Sequence, residues 1–375
     1  MKIFIVHAPA GAGHKSAAFA IKDAFDKAKT GHDVRVIDSL EYTNWFFRKT
    51  YIWGYNFMVS KASFLWSFSY YLTDFKPIRP LIRSIRRMAN FLNGYAFYKF
   101  VRKENPDCIV TTHFLSTEII SNLKLSKMYN GKLITVITDY GVHDFWISSQ
   151  VDTYVVASEY TRKELASKGI PAERIRVLGI PVQEKFTRRW ERDEAVRNLG
   201  LKEGLFTVLI IGGGLGVGPI PQMVETISGT SEPFQLIVVC GKNESLRKHI
   251  EEIAKGSKTA MKLYGFADNV NELMDASDVM ISKPGGLSIS EAMVKGVPVI
   301  VNTFIPGQEE NNLLFLEKAG VGVGTKTIPE TLEKLEYLFR HKELLDAMRS
   351  KAKQLGKPSS AGDIVVLVLE TIENK

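Results

Sequence analysis

Between Ser282 and Asn312 the chain sets out a lysine, a glycine pair, two serines and a carboxylate, then a second polar run, Pro306-Gly-Gln-Glu-Glu-Asn-Asn312. An apolar strand over 278–281 feeds Lys283 and the Gly285-Gly286 turn, which opens a helix carrying Ser288 and Glu291. Backbone N–H groups at such a helix start point outward, and the dipole there favours anions. Glu291 lies about one and a half helical turns further in, where a carboxylate can accept hydrogen bonds from the paired hydroxyls of a ribose. A second strand over 297–301 then delivers Gln308, Glu309 and Asn312, side chains suited to reading sugar hydroxyls. Diphosphate, ribose and hexose groups following one another at strand C-termini are what a nucleotide-sugar enzyme needs.

Other loops extend that chemistry. Gly212-Gly-Gly-Leu-Gly-Val-Gly218 follows a strand, and Gly213, Gly214 and Gly216 let backbone reach a pyrophosphate. In Cys240-Gly-Lys-Asn243, Lys242 is placed to neutralise phosphate and Asn243 to contact the donor or cap the next helix. Tyr264-Gly-Phe266 offers backbone to a uracil edge, with Phe266 against the base or in the core. Lys283 faces a leaving diphosphate.

The first strand runs into Ala8-Pro-Ala-Gly-Ala-Gly-His14, where Gly11 and Gly13 allow a tight turn and close approach of a ligand. His14 then starts a helix whose positive dipole end disfavours imidazolium, so it stays neutral and suits a base deprotonating an acceptor hydroxyl. Thr138-Asp139 follows an apolar strand, and Asp139 either supports that base, binds the acceptor or caps a turn. His113 and His143 are further candidates for lining the acceptor side. Neither Cys-x-x-Cys nor His-Glu-x-x-His occurs, so no metal or other cofactor is expected. A diphosphate leaving group can be stabilised by helix N-termini and lysine instead.

Positioning these groups requires parallel sheets. Strand-like runs near 2–7, 33–37, 108–111, 132–137 and 153–157 alternate with helical patterns. A polar stretch to Gly204 reads as a linker. A second series follows, near 206–211, 235–240, 261–264, 278–281 and 297–301, with closing helices near 329–338, 341–355 and 361–374. The expected fold class is α/β, two Rossmann-like domains with parallel sheets facing each other across a cleft, the GT-B architecture. The domains are placed at 1–182 and 183–358, with a closing helix over 359–375 for which packing back on the first domain is open.

The 375 residues suit two domains. Cys108 and Cys240 lie far apart in apolar runs and read as buried thiols in a reducing compartment. The N-terminal apolar run is too short for a signal-peptide core, and no apolar run spans a bilayer, so a cytoplasmic protein is expected. The net charge of +8 is concentrated. Residues 44–103 hold eleven Lys/Arg against one acid, Asp74, with 18 of the 39 aromatics. That points to an anionic phospholipid surface, docked by Trp45, Trp53 and Trp66 with Arg83, Arg86 and Arg87. A nucleic-acid groove also pairs basic with aromatic residues, but the donor motif has no use for one, so no nucleic acid is expected.

Taken in order, His7-Ala-Pro-Ala-Gly-Ala-Gly-His14-Lys-Ser-Ala, Gly212-Gly-Gly-Leu-Gly216, Cys240-Gly-Lys-Asn243 and Lys283-Pro-Gly-Gly…Glu291-Ala…Pro306-Gly-Gln-Glu309 resemble glycosyltransferase family 28. The nearer branch is that of monogalactosyldiacylglycerol synthases and processive diacylglycerol glucosyltransferases, which Thr138-Asp139 with His143 and Trp146 also resembles. The resemblance implies an inverting enzyme that binds a UDP-hexose, glucose or galactose, in the second domain and diacylglycerol in the first, as a peripheral protein on the inner membrane face. It implies Glu291 on the ribose, Gln308 and Glu309 on the hexose, the 212–218 loop on the diphosphate and His14 as base. The cell-wall branch, which uses UDP-N-acetylglucosamine and a polyprenyl-linked acceptor, usually has two consecutive Gln where this chain has Gln308-Glu309. That alternative and a non-catalytic UDP-sugar-binding regulatory module remain the rival readings.

Overall fold

In a computed structural model the chain forms two compact α/β units, and residues 1–9, 11–61, 72, 73, 82, 85, 86, 88–90 and 93–373 are described. Trp66, Arg83 and Arg87 lie outside the described residues. One unit comprises residues 1–184, 305–311 and 357–375, and the other 185–304 and 312–356.

The first unit holds a six-stranded parallel sheet of order β2-β1-β3-β4-β5-β6. Its strands are β1 (Lys2–His7), β2 (Asp33–Asp38), β3 (Cys108–Thr111), β4 (Lys132–Val136), β5 (Thr153–Val156) and β6 (Ile175–Val177). Helices α1 (Ala12–Ala28), α2 (Trp45–Lys61), α3 (Tyr95–Glu104), α4 (Phe114–Leu125) and α5 (Glu159–Ser167) accompany it. The central strands are apolar on both faces, as a sheet covered by helices on each side demands. One face packs Phe4, Val6, Ile109 and Leu133 against α3 and α4.

The other face packs Ile3, Ile5, Val110 and Ile134 against α1 and the last helix of the chain, Ser360–Glu373. From that helix Ile364, Val365, Val368 and Ile372 enter the first unit's core.

The second unit repeats the scheme with β7 (Phe206–Ile211), β8 (Phe234–Val239), β9 (Met261–Tyr264), β10 (Val279–Ser282), β11 (Val299–Val301) and β12 (Gly322–Gly324), in the order β12-β11-β10-β7-β8-β9. Helices α6 (Arg192–Asn198), α7 (Ile220–Ser228), α8 (Glu244–Gly256), α9 (Val270–Asp275), α10 (Gly286–Lys295), α11 (Gln308–Ala319), α12 (Ile328–Arg340) and α13 (Lys342–Leu355) precede the closing α14 (Ser360–Glu373).

The stretch expected to be a linker up to Gly204 instead contains α6, which buries Ala195 and Val196. Its Arg192 joins Arg349 of α13 on the Asp278 carboxylate, at 2.7 and 2.6 Å. Asp278 also accepts the Thr207 N–H at 2.8 Å, which ties β10 to β7.

Both sheets reverse direction once. In the first, chain order turns back between β1 and β3, and in the second between β7 and β10. Beyond the C-terminal ends of such strand pairs, diverging crossovers leave a crevice in which open α/β sheets bind ligands.

Candidate functional site

The first switch point is built from the residues after β1 and β3. Gly11 caps α1 at φ 90°, a conformation that glycine adopts without penalty, and supplies no side-chain cap. That turn seats His14 on the first turn of α1. The His14 ring is enclosed by His113, 4.5 Å away centroid to centroid, and by Trp146 at 6.3 Å.

His14 Nδ1 lies 2.8 Å from the Thr112 carbonyl and 2.8 Å from Thr138 Oγ1. A carbonyl only accepts, so Nδ1 carries the ring proton and Nε2 keeps its lone pair. The Thr112 hydroxyl returns a bond to the His14 carbonyl at 2.9 Å. Burial pushes His14 down to about 4, reinforced by the nearby His7 and resisted by the Thr112 bond. The ring is therefore neutral at physiological pH, with burial as the largest cause.

His113 is the complement. Its Nδ1 accepts the Leu115 N–H at 3.1 Å and caps α4, so the proton sits on Nε2. Burial, then His14 and His7, hold it well below the usual histidine range. Two adjacent imidazoles thus occupy opposite tautomers, His14 with Nε2 as an acceptor and His113 with Nε2–H as a donor. His143 Nδ1 likewise accepts the Phe145 N–H, at 3.2 Å, and caps a short 3-10 helix.

Asp139 Oδ2 accepts a 2.8 Å bond from Gln308 Nε2, while the His14 ring is held by Thr112 and Thr138. Thr112 and Thr138, which hold His14, are residues the sequence left unassigned. Their only signal is a hydroxyl directly after a strand, which ordinary turns also show.

The second switch point brings together the loops after β7 and β10. Within 212–218 the Gly216 and Val217 N–H groups close the turn onto the Gly213 and Gly212 carbonyls. The N–H groups of Gly213, Gly214 and Leu215 have no partner among the described residues. A Cβ on Gly216 would lie 2.3 Å from the Cys240 carbonyl, and Gly214 accepts the Lys242 N–H at 3.1 Å, so this loop and the 240–243 turn meet backbone to backbone.

Lys283 leans over the loop, with its Cε 3.3 Å from where a Gly213 Cβ would sit. Gly285 caps α10 without a side-chain bond, which leaves the first-turn N–H groups from Gly286 to Ser288 open. Glu291, one turn further along α10, is buried and has no hydrogen-bond partner among the described residues. Burial pushes its carboxyl up to about 8, partly offset by Lys185.

Phe266 is 61% exposed, which excludes the core alternative, and Lys242 Nζ lies 5.6 Å from its ring centre. Asn243 Oδ1 caps α8 on the Leu246 N–H at 3.0 Å, so that oxygen serves the fold. Asn312 is fully buried and its Nδ2 donates to the Pro284 carbonyl at 3.0 Å, which braces the Lys283–Gly286 turn. Glu309 Oε2 accepts the Ile305 N–H at 2.9 Å.

Trp45 and Trp53 are 74% and 65% exposed on α2, beside exposed Phe46. Arg86 is not a surface cation. Its Nε pairs with the buried Glu118 at 2.6 Å, and its guanidinium lies 3.9 Å from the centre of the Phe145 ring. Among the described residues, no helix is long and apolar enough to cross a membrane.

Two Rossmann-like units with ligand loops at their switch points define a GT-B fold, and solved structures agree. Acinetobacter baumannii MurG aligns over 98% of this chain and 99% of its own, with a TM-score of 0.63 at 14% identity. Anabaena Alr3699/HepE in complex with UDP-glucose aligns over 100% and 99%, with a TM-score of 0.57 at 15% identity.

Residues 14–182 match the monogalactosyldiacylglycerol (MGDG) synthase family, and residues 207–364 match the glycosyltransferase family 28 C-terminal domain. A processive diacylglycerol beta-glucosyltransferase of Bacillus cereus (strain 03BB102) is 32% identical over 270 residues, 72% of this chain and 69% of that one. The chain belongs to glycosyltransferase family 28, in the branch of the MGDG synthases and diacylglycerol glucosyltransferases.

Proposed function

We propose that this protein is an inverting hexosyltransferase that moves glucose or galactose from a UDP-sugar to diacylglycerol or a glycosyl-diacylglycerol at the inner surface of the cell membrane. The observation that carries the reading is His14. A neutral imidazole whose Nδ1 proton is held by a backbone carbonyl keeps the Nε2 lone pair as a proton acceptor. A module that only binds UDP-sugar has no need of one. The names of the relatives and the family match supply the substrate class.

In the proposed reaction the acceptor hydroxyl gives its proton to His14 Nε2 as its oxygen attacks the anomeric carbon. The bond from that carbon to the diphosphate oxygen breaks, leaving UDP and a β-glycoside. The His113 Nε2–H donates to a neighbouring oxygen of the acceptor. Charge growing on the diphosphate is met by Lys283, by the open N–H groups of Gly213 and Gly214 and by the α10 N-terminus. Glu291 takes the ribose hydroxyls, Gln308 the hexose and Phe266 the uracil. The mechanism draws on no metal or cofactor. Trp45, Phe46 and Trp53 enter the interface of an anionic bilayer, with Lys49 next to them.

UDP release from a panel of UDP-sugars, with anionic vesicles containing or lacking diacylglycerol, tests this. Diacylglycerol-dependent release from UDP-glucose or UDP-galactose is the expected result. Release only from UDP-N-acetylglucosamine with a polyprenyl acceptor, or UDP binding with no release, would overturn it.

A further inference from the structure

The bond between Asp139 and Gln308 has a consequence for the donor sugar. A carboxylate offers only lone pairs, so the amide nitrogen of Gln308 must face Asp139, and the 2.8 Å contact has that sense. The amide oxygen then points away, and Gln308 Oε1 has no partner among the described residues. Asp139 is buried, at the end of the segment that follows β4, so its side chain has little freedom to turn.

The surroundings hold both partners in place. Residues 305–311 belong to the same unit as Asp139. A Cβ on Gly141 would lie 2.4 Å from Asn311 Cβ, so the turn carrying Asp139 and the first turn of α11 approach at backbone distance. The start of α11 is pinned from within as well. Glu309 Oε2 accepts from Ile305 N, and Glu310 Oε2 accepts from Gly307 N at 3.2 Å.

We propose that Asp139 is a positioning residue that fixes which end of the Gln308 amide meets the donor hexose, so that Gln308 reads the sugar as an acceptor through Oε1. A sugar hydroxyl that can donate to Oε1 is favoured, and a hexose whose hydroxyl points elsewhere leaves that oxygen unmet. Asp139 thereby helps set hexose selectivity without touching the sugar. This rests on the reading that Gln308 contacts the donor hexose.

The variant Asp139→Asn removes the constraint, because an asparagine both donates and accepts and lets the Gln308 amide turn over. Steady-state kinetics with UDP-glucose and UDP-galactose on diacylglycerol vesicles, together with calorimetric Kd values for UDP alone, follow the effect. The expected outcome is an unchanged Kd for UDP, a KM for the preferred UDP-hexose raised about tenfold, and a matching loss of discrimination between the two hexoses.

In a Gln308→Ala background, Asp139→Asn should change hexose discrimination no further, since both act on it through one amide. Unchanged discrimination in D139N with an active wild type, or additive losses in the double variant, overturns the assignment alone. A D139N protein whose affinity for UDP and melting temperature fall together points to a purely structural role and also overturns it. A wild type that binds UDP but no UDP-hexose overturns the donor reading and this assignment with it.

Discussion

The turn after β1 and the turn after β10 are built alike and finished differently. Each strand runs into a glycine-containing turn, a glycine in each turn caps a helix with no side chain, and each helix carries a titratable group in its first two turns. Burial strips the charge from both groups, so the pKa of His14 goes down and that of Glu291 goes up. The contrast lies in their partners. His14 Nδ1 is bonded twice, while Glu291 has no hydrogen bond among the described residues. A proton acceptor has to be oriented before the substrate arrives. A binding carboxyl is more useful with its hydrogen-bonding capacity unspent, and its uncompensated burial is a cost that a ligand relieves.

The sharpest way to break the contrast is to remove each group in turn. His14→Ala should lower kcat about 10²–10⁴-fold while calorimetric affinity for UDP stays at the wild-type value. Near-normal turnover would remove His14 from the chemistry. Glu291→Gln should do the reverse, raising the KM for the UDP-sugar about tenfold or more with a smaller effect on kcat.

Proton uptake separates the two further. Ribose hydroxyls donating to Glu291 favour its charged form, so UDP binding near pH 7 should expel a proton and tighten as pH rises toward 8. Titrations in buffers of different ionisation enthalpy read that proton, and E291Q should abolish it.

Stability against pH gives a second, smaller contrast with opposite slopes. The folded state holds the Glu291 proton up to about pH 8, whereas an unfolded glutamate loses it near its ordinary 4.5. Between those values the folded state binds more protons, so this group makes stability fall as pH rises, levelling off above 8. His14 is neutral in the folded state down to about 4 and protonates near 6.5 when unfolded. It makes stability rise with pH across that window, levelling off above 6.5. Melting temperatures of the wild type minus those of E291Q and of H14Q should show the two trends with opposite sign. Parallel trends would mean that one group is not neutral as the structure has it.

Sequence periodicity located ten of the twelve strands, and with them the two loops that matter. It missed β6 and β12, edge strands of three residues each, Ile-Arg-Val and Gly-Val-Gly, too short to show a period. Helix α6 was hidden by its charged surface, and the reason for its arginine lies far along the chain at Asp278.

Residue types pointed to His14 and Glu291 because a histidine and a carboxylate beside glycine turns are rare enough to stand out. The roles of Asn312 and Asp139 depended on partners 28 and 169 residues away, Pro284 and Gln308, which no local pattern reveals. Arg86 misled for the same reason. Within a basic–aromatic run it reads as a surface charge, yet Glu118 and Phe145 take it out of water.

The gentlest perturbation tests whether orientation is what distinguishes His14. Thr138→Val removes one of the two oxygens at Nδ1 and keeps a side chain of similar shape. The Thr112 carbonyl still holds the ring proton on Nδ1, so the tautomer survives and Nε2 keeps its lone pair. What is lost is one neutral hydrogen bond, worth about 1 kcal/mol. That corresponds to a fall in kcat of roughly fivefold, with KM for the donor unchanged. A loss as large as that of H14A would mean that Thr138 takes part in moving the proton. No loss at all would mean that the backbone carbonyl alone orients the base.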